Sequence, residues 1–176
     1  LLLLSMGAGL LDSLFFSDLC RNARSIEPFW LRRAFLFLLV GFGTKAGLAP
    51  VPEWLPDAHS EAPSPVSAIL SGTLLNAALL GIARIFRLMD LAGAGHAARM
   101  LLIIMGFLSL FVSAVFLLKS ANYKRMLAYS SIENMGIAAI GIAAGGIGTF
   151  AAMLHVAAHS LTKASFFLTS GNIYQR

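Results

Sequence analysis

The sequence predicts an all-α fold: a polytopic bundle of transmembrane helices, one of them broken by prolines. Three observations predict it. Of 176 residues, 58% are hydrophobic and 12% charged, whereas a soluble domain carries roughly 25% charged residues. Apolar runs recur at 1–16, 34–49, 65–83, 100–118, 126–144 and 149–170, and a spanning helix needs roughly 20 mostly apolar residues. The charged residues gather between those runs, in Asp18–Arg33, Pro50–Ser64, Arg84–Arg99 and Lys119–Arg125. A run such as MLLIIMGFLSLFVSAVFLL does not alternate in polarity, which argues against a transmembrane β-barrel.

Taken in order, the first run begins Leu1-Leu2-Leu3-Leu4 with no basic region ahead of it. It reads as the inside of a helix rather than a signal peptide. Gln175-Arg176 follows the last run directly, so the chain is expected to be a single unit, residues 1–176, of about six spanning segments truncated at both ends. The net charge of +5 lies in short membrane-flanking clusters, not on a polar face of the kind that binds nucleic acid. Cys20 is the only cysteine; it cannot form a disulfide within the chain, and no Cys-x-x-Cys spacing supports structural zinc or an iron–sulfur cluster. No cofactor is therefore expected in this chain.

The second connector reads TKAGLAPVPEWLPDAHSEAPSPVS, with Pro50, Pro52, Pro56, Pro63 and Pro65 directly after a run that ends near Lys45. Proline removes a backbone donor and clashes with the preceding turn, so this region cannot be one regular helix. Two readings are open at this point. Broken helices beside ionisable residues recur in transporters, where the freed backbone is covered by protein or lines a wet cavity. Alternatively, Pro50 onward is an exposed loop and Lys45 reaches to the interface. Further along, GGIG at 145–148 is short enough to make a tight helical hairpin.

In the last run, HVAAHSLTK sets His155, His159 and Lys163 four residues apart. Steps of four on an α-helix advance about 400°, giving a slowly drifting stripe with neighbours about 6 Å apart along the axis. Water bridges that spacing, histidine titrates near neutrality, and low dielectric disfavours the charged form of a lysine. Ionisable groups at membrane depth are costly, so they face a bundle interior and mark ion paths. The plainer reading is interhelical hydrogen bonding. Zinc is disfavoured because HVAAH lacks the glutamate of H-E-x-x-H and a third ligand is not evident. Glu133, two to three turns inside its run, serves either as a second-rank relay group or as a partner of Lys124 or Arg125.

FGTKAGLAPVPEWLPDAHSEAPSPVSAILSG, KRMLAYSSIENMG and LHVAAHSLTKASFFL resemble the matching stretches of the antiporter-like membrane subunits shared by respiratory complex I, Mrp-type sodium/proton antiporters and energy-converting hydrogenases. The wording SSIENMG and HSLTK most resembles the F-type membrane subunit of the hydrogenase-4 and formate hydrogenlyase group. The resemblance implies a bundle of about fourteen helices in two inverted repeats, each with a broken helix, this chain matching the end of the sixth helix through the eleventh. It places Lys45 on the family's proton-carrying lysine before the break, and His155, His159 and Lys163 on positions linking two half-channels. Asp57, His59 and Glu61 match the acidic-histidine segment after the break. Asn76 stands where several complex I relatives have a second lysine; an amide holds water but carries no proton at physiological pH.

The resemblance further implies a proton-translocating subunit of a redox-driven complex, moving protons through buried lysine and histidine groups. Electron transfer would occur in partner subunits: other membrane subunits and a soluble redox arm. The expected setting is a bacterial or archaeal plasma membrane. Sodium/proton antiport and a non-conducting membrane anchor are the alternatives. Orientation stays open, because the positive-inside rule places the side of Arg21, Arg24, Arg32, Arg33, Arg84, Arg87 and Arg99 in the cytoplasm, whereas the family places the WLPDAHSEAP side there.

Overall fold

With no water in hydrocarbon to bond the backbone, a long apolar run must satisfy its own N–H and C=O groups, and helix is the way to do so within one segment. The computed structural model describes residues 15–174, and every regular element among them is helical. A short α1, Phe16–Arg21, leads through a single turn of 3₁₀ helix, Ala23–Ser25, to α2, Pro28–Ala46, which begins with a proline where no N–H is needed. The eight-residue α3, Trp54–Glu61, follows the break. Then come the long helices α4, Ser64–Leu91, α5, Gly95–Lys119, α6, Tyr123–Ala144, and α7, Ile147–Tyr174. Among the described residues, α4, α5 and α6 are long and apolar enough to cross a membrane. The expected run at 1–16 falls almost wholly outside the described residues; the others appear as helices.

Packing follows chain order: α5 lies along α6, α6 along α7, and α4 bridges α2 and α7. Small residues set the closest approach. A Cβ on Gly106 would lie 2.9 Å from the Gly136 carbonyl oxygen, and one on Gly136 would lie 2.9 Å from that of Gly106. Two backbones in contact at a glycine pair are how membrane helices gain dispersion energy without a hydrophobic drive between them. The tight hairpin expected at 145–148 is present, Gly145 and Gly146 taking φ of 74° and 50° between α6 and α7.

The proline-rich connector is a broken helix, not an exposed loop. Gly47 takes φ 72°, its N–H donates to the Thr44 carbonyl at 3.2 Å and that of Leu48 to Gly43 at 2.9 Å. This paired ending needs a left-handed residue, hence glycine. Leu48 and Ala49 are then buried. The N–H of Ala49 donates to Ser109 Oγ on α5 at 2.9 Å, and Trp54 Nε1 donates to the Thr44 carbonyl at 2.7 Å. Both bonds supply partners that an interrupted helix leaves free.

Candidate functional site

The stripe on α7 faces inward at its centre. His159 and Lys163 are 5% and 4% exposed, His155 is half-buried. Lys163 Nζ donates to the Leu127 carbonyl on α6 at 2.9 Å, and the same oxygen accepts from Ser131 Oγ at 3.1 Å. Ser131 Oγ in turn lies 3.0 Å from Ser71 Oγ on α4. A polar line therefore runs from α4 through α6 to the lysine on α7, in the middle of an apolar bundle.

Ser71 stands where it does because α4 loosens there: Leu70–Leu74 is a π-helical turn, which inserts one residue and re-aims its neighbours. Gly72, within that turn, lets α4 approach α7 until a Cβ would sit 3.4 Å from the Ser160 carbonyl oxygen. One turn on, Asn76 Nδ2 donates to the Gly72 carbonyl and to Ser160 Oγ. Asn76 thus joins the helix bearing the stripe, between His159 and Lys163.

Several buried polar atoms at this site have no hydrogen-bond partner among the described residues: both ring nitrogens of His59, Nε2 of His155, Nε2 of His159 and Oδ1 of Asn76. Such atoms are costly in a dry interior, and buried groups of this kind are ordinarily served by internal water. His59 is fully buried and stacks on Phe167 with centroids 4.4 Å apart at 9°, one turn beyond Lys163. Lys163 is within electrostatic reach of His59 and of Glu133.

Not every expected residue joins this centre. The expected burial of Lys45 is not met within this chain: its side chain is exposed, with the Trp54 ring centroid 5.9 Å from Nζ. The reason is its helix face. Gly41, one turn earlier, has nothing within 4 Å of a Cβ position, whereas the buried Gly43 and Ala46 turn toward the bundle. Asp57 and Glu61 are exposed as well, on the opposite side of α3 from His59. Asp57 forms an ion pair with Arg125, and Lys124 Nζ donates to the Ala62 carbonyl at 2.9 Å. Glu133 lies about 13 Å of helix rise, nine residues, beyond Lys124 on α6, and Arg125 is taken by Asp57.

Ser71, Ser131 and Ser160 are the site residues that sequence reasoning missed. The signal available was weak: a Ser–Gly–Thr interruption, LSGTL, in an otherwise apolar run.

Comparison with known proteins sets this geometry in context. A family model described as NADH:quinone oxidoreductase/Mrp antiporter, transmembrane, matches residues 2–176. A hydrogenase-4 component F homolog from Methylacidiphilum infernorum is 41% identical over 172 residues, 97% of this chain and 36% of the relative. Among solved structures, the archaeal membrane-bound sulfane sulfur reductase superposes with a TM-score of 0.89 at 28% identity, over 98% of this chain and 36% of that one. Respiratory complex I from Thermus thermophilus gives 0.84 at 28% identity, over 99% of this chain and 38% of that one. The chain spans little more than a third of the length of these relatives.

Proposed function

Because the chain belongs to the NADH:quinone oxidoreductase/Mrp antiporter family of transmembrane subunits, we propose that this integral membrane subunit conducts protons through His155, His159 and Lys163, joined by water to His59 and Asn76. The observation that carries this reading is the set of unpartnered buried nitrogen and oxygen atoms of these residues around a buried lysine. Water placed among them turns separate groups into a connected path. Like charges a turn apart repel, so a proton arriving at one histidine drives the next one onward. Asn76 holds water and orients Ser160 without taking the proton itself.

Lys45 enters this reading through the family resemblance, not through burial, and its open face is available to the rest of a longer protein. Redox chemistry is assigned to partner subunits in a bacterial or archaeal plasma membrane, in keeping with the complexes in which similar chains occur. Glu133, Asp57 and Glu61 are second-rank groups, the first half-buried on α6 and the others at the exposed side of α3.

The test uses the full-length subunit in its native complex, reconstituted in vesicles, with assembly checked on a native gel. Proton uptake per electron is expected to collapse for Lys45→Met. It should collapse as badly for Lys45→Arg, because guanidinium does not give up its proton in proteins. Normal uptake with arginine would leave Lys45 only a fixed charge, and normal uptake with methionine would turn the chain into an anchor. Sodium/proton antiport is the second reading, favoured by the inclusion of Mrp antiporters in the matching family model; transport that requires sodium would select it.

A further inference from the structure

The arginine-rich end of the bundle contains a cavity that the proton path does not use. It has a volume of about 390 Å³ and opens where the ends of α4 and α6 meet the first turn of α7, with Phe16 of α1 at its rim. Arg84 and Arg87, three residues apart and so on one face of α4, line it. The one carboxylate in the lining, Asp90, is already engaged by Arg99 at 3.6 Å. Neither Arg84 nor Arg87 has an ion pair among the described residues; Arg84 only rests 5.9 Å from the Phe16 ring centroid. Below the arginines the walls become apolar. Leu80, one turn deeper on α4 and 44% exposed, continues the cavity toward the hydrocarbon, with the buried Ile142 of α6 at its floor.

A pocket with two guanidinium groups that have no ion pair among the described residues, and an aliphatic wall beneath them, matches one kind of molecule abundant at that depth. We propose that this cavity binds an anionic phospholipid, Arg84 and Arg87 holding the phosphate and Leu80 contacting the upper acyl chain. Guanidinium suits the task because its planar fork bonds two phosphate oxygens at once. The surrounding Arg21 and Arg24, both exposed, add to the positive field that draws anionic lipid to this end.

The test extracts the full-length protein in its native complex with mild detergent and measures lipid retention by native mass spectrometry, titrating phosphatidylglycerol against phosphatidylcholine. Wild type is expected to retain phosphatidylglycerol selectively. Arg84→Gln with Arg87→Gln should weaken retention about 30-fold, from the contribution of two basic side chains at an anionic surface. Arg84→Lys with Arg87→Lys, which keeps the charge but loses the planar fork, should fall between wild type and the double glutamine variant, and Arg32→Gln, on α2 and outside the cavity, should keep all of it. Leu80→Trp supplies an independent check: it fills the apolar wall while sparing both arginines, and should also lower retention. Equal retention of the two lipids by wild type would overturn the proposal. So would unchanged retention in the double glutamine variant or in Leu80→Trp.

Discussion

Lys163 carries two duties that a substitution can separate. Its ammonium group donates to the Leu127 carbonyl, but Ser131 Oγ donates to that oxygen too, so removing the lysine does not orphan the acceptor. Lys163→Met, close to the same shape, is therefore expected to cost under about 1 kcal/mol of stability and yet to abolish proton uptake. Thermal unfolding of the complex in detergent, set beside uptake per electron, checks both halves; a large loss of stability would make Lys163 a structural tether. His159→Gln keeps a hydrogen-bonding side chain but cannot titrate, and should lower uptake severely with little change in assembly. Unchanged uptake would return His159 to packing. These residues were legible because a period of four in an apolar run has few innocent explanations. Ser71, Ser131 and Ser160 were not, because a serine in a membrane helix ordinarily bonds its own backbone. The partners that give these three a role lie 60 or 84 residues away in the chain.

At the scale of elements the break between α2 and α3 shows what prolines can and cannot announce. Five of them forbid a continuous helix, yet the same five fit an exposed loop. Burial of Leu48 and Ala49 and the bond from Ala49 to Ser109 distinguish the two, and that bond depends on a residue of α5 that comes 60 residues later. Ser109→Ala should accordingly leave a buried N–H without a partner, at a cost of about 1–3 kcal/mol. Ser113→Ala, which removes only a bond to the Leu110 carbonyl of its own helix, should cost less. The melting temperatures of the two variants compare them directly; equal values would mean that water or another group serves Ala49. Gly136→Leu makes the stronger test of α5 on α6, since its Cβ position already lies 2.9 Å from the Gly106 carbonyl oxygen. Loss of the assembled complex on a native gel is expected. The π-helical turn at Leu70–Leu74 had only the Ser–Gly–Thr interruption as a sequence mark, and such an interruption fits a regular helix equally well.

For the molecule as a whole, the connectors divide into two ends. The link between α4 and α5 and the hairpin between α6 and α7 share one end with the arginine cluster. The link between α5 and α6 lies at the other, where Arg125 pairs with Asp57 and Lys124 reaches Ala62. If α5 and α6 each cross the bilayer, labels on these connectors must report opposite compartments. His96→Cys, Ala121→Cys and Ile147→Cys all replace exposed residues and can be introduced singly into a cysteine-free full-length protein in sealed vesicles. A membrane-impermeant maleimide is expected to modify His96→Cys and Ile147→Cys from one side and Ala121→Cys from the other only. Modification of all three from one side would undo the spanning arrangement. The side that labels Ala121→Cys also decides between two physical rules. Counting arginines assigns the opposite end to the cytoplasm, and cytoplasmic labelling at Ala121→Cys would mean that helix packing and the broken helix, rather than charge in the connectors, fix how this subunit sits in its membrane.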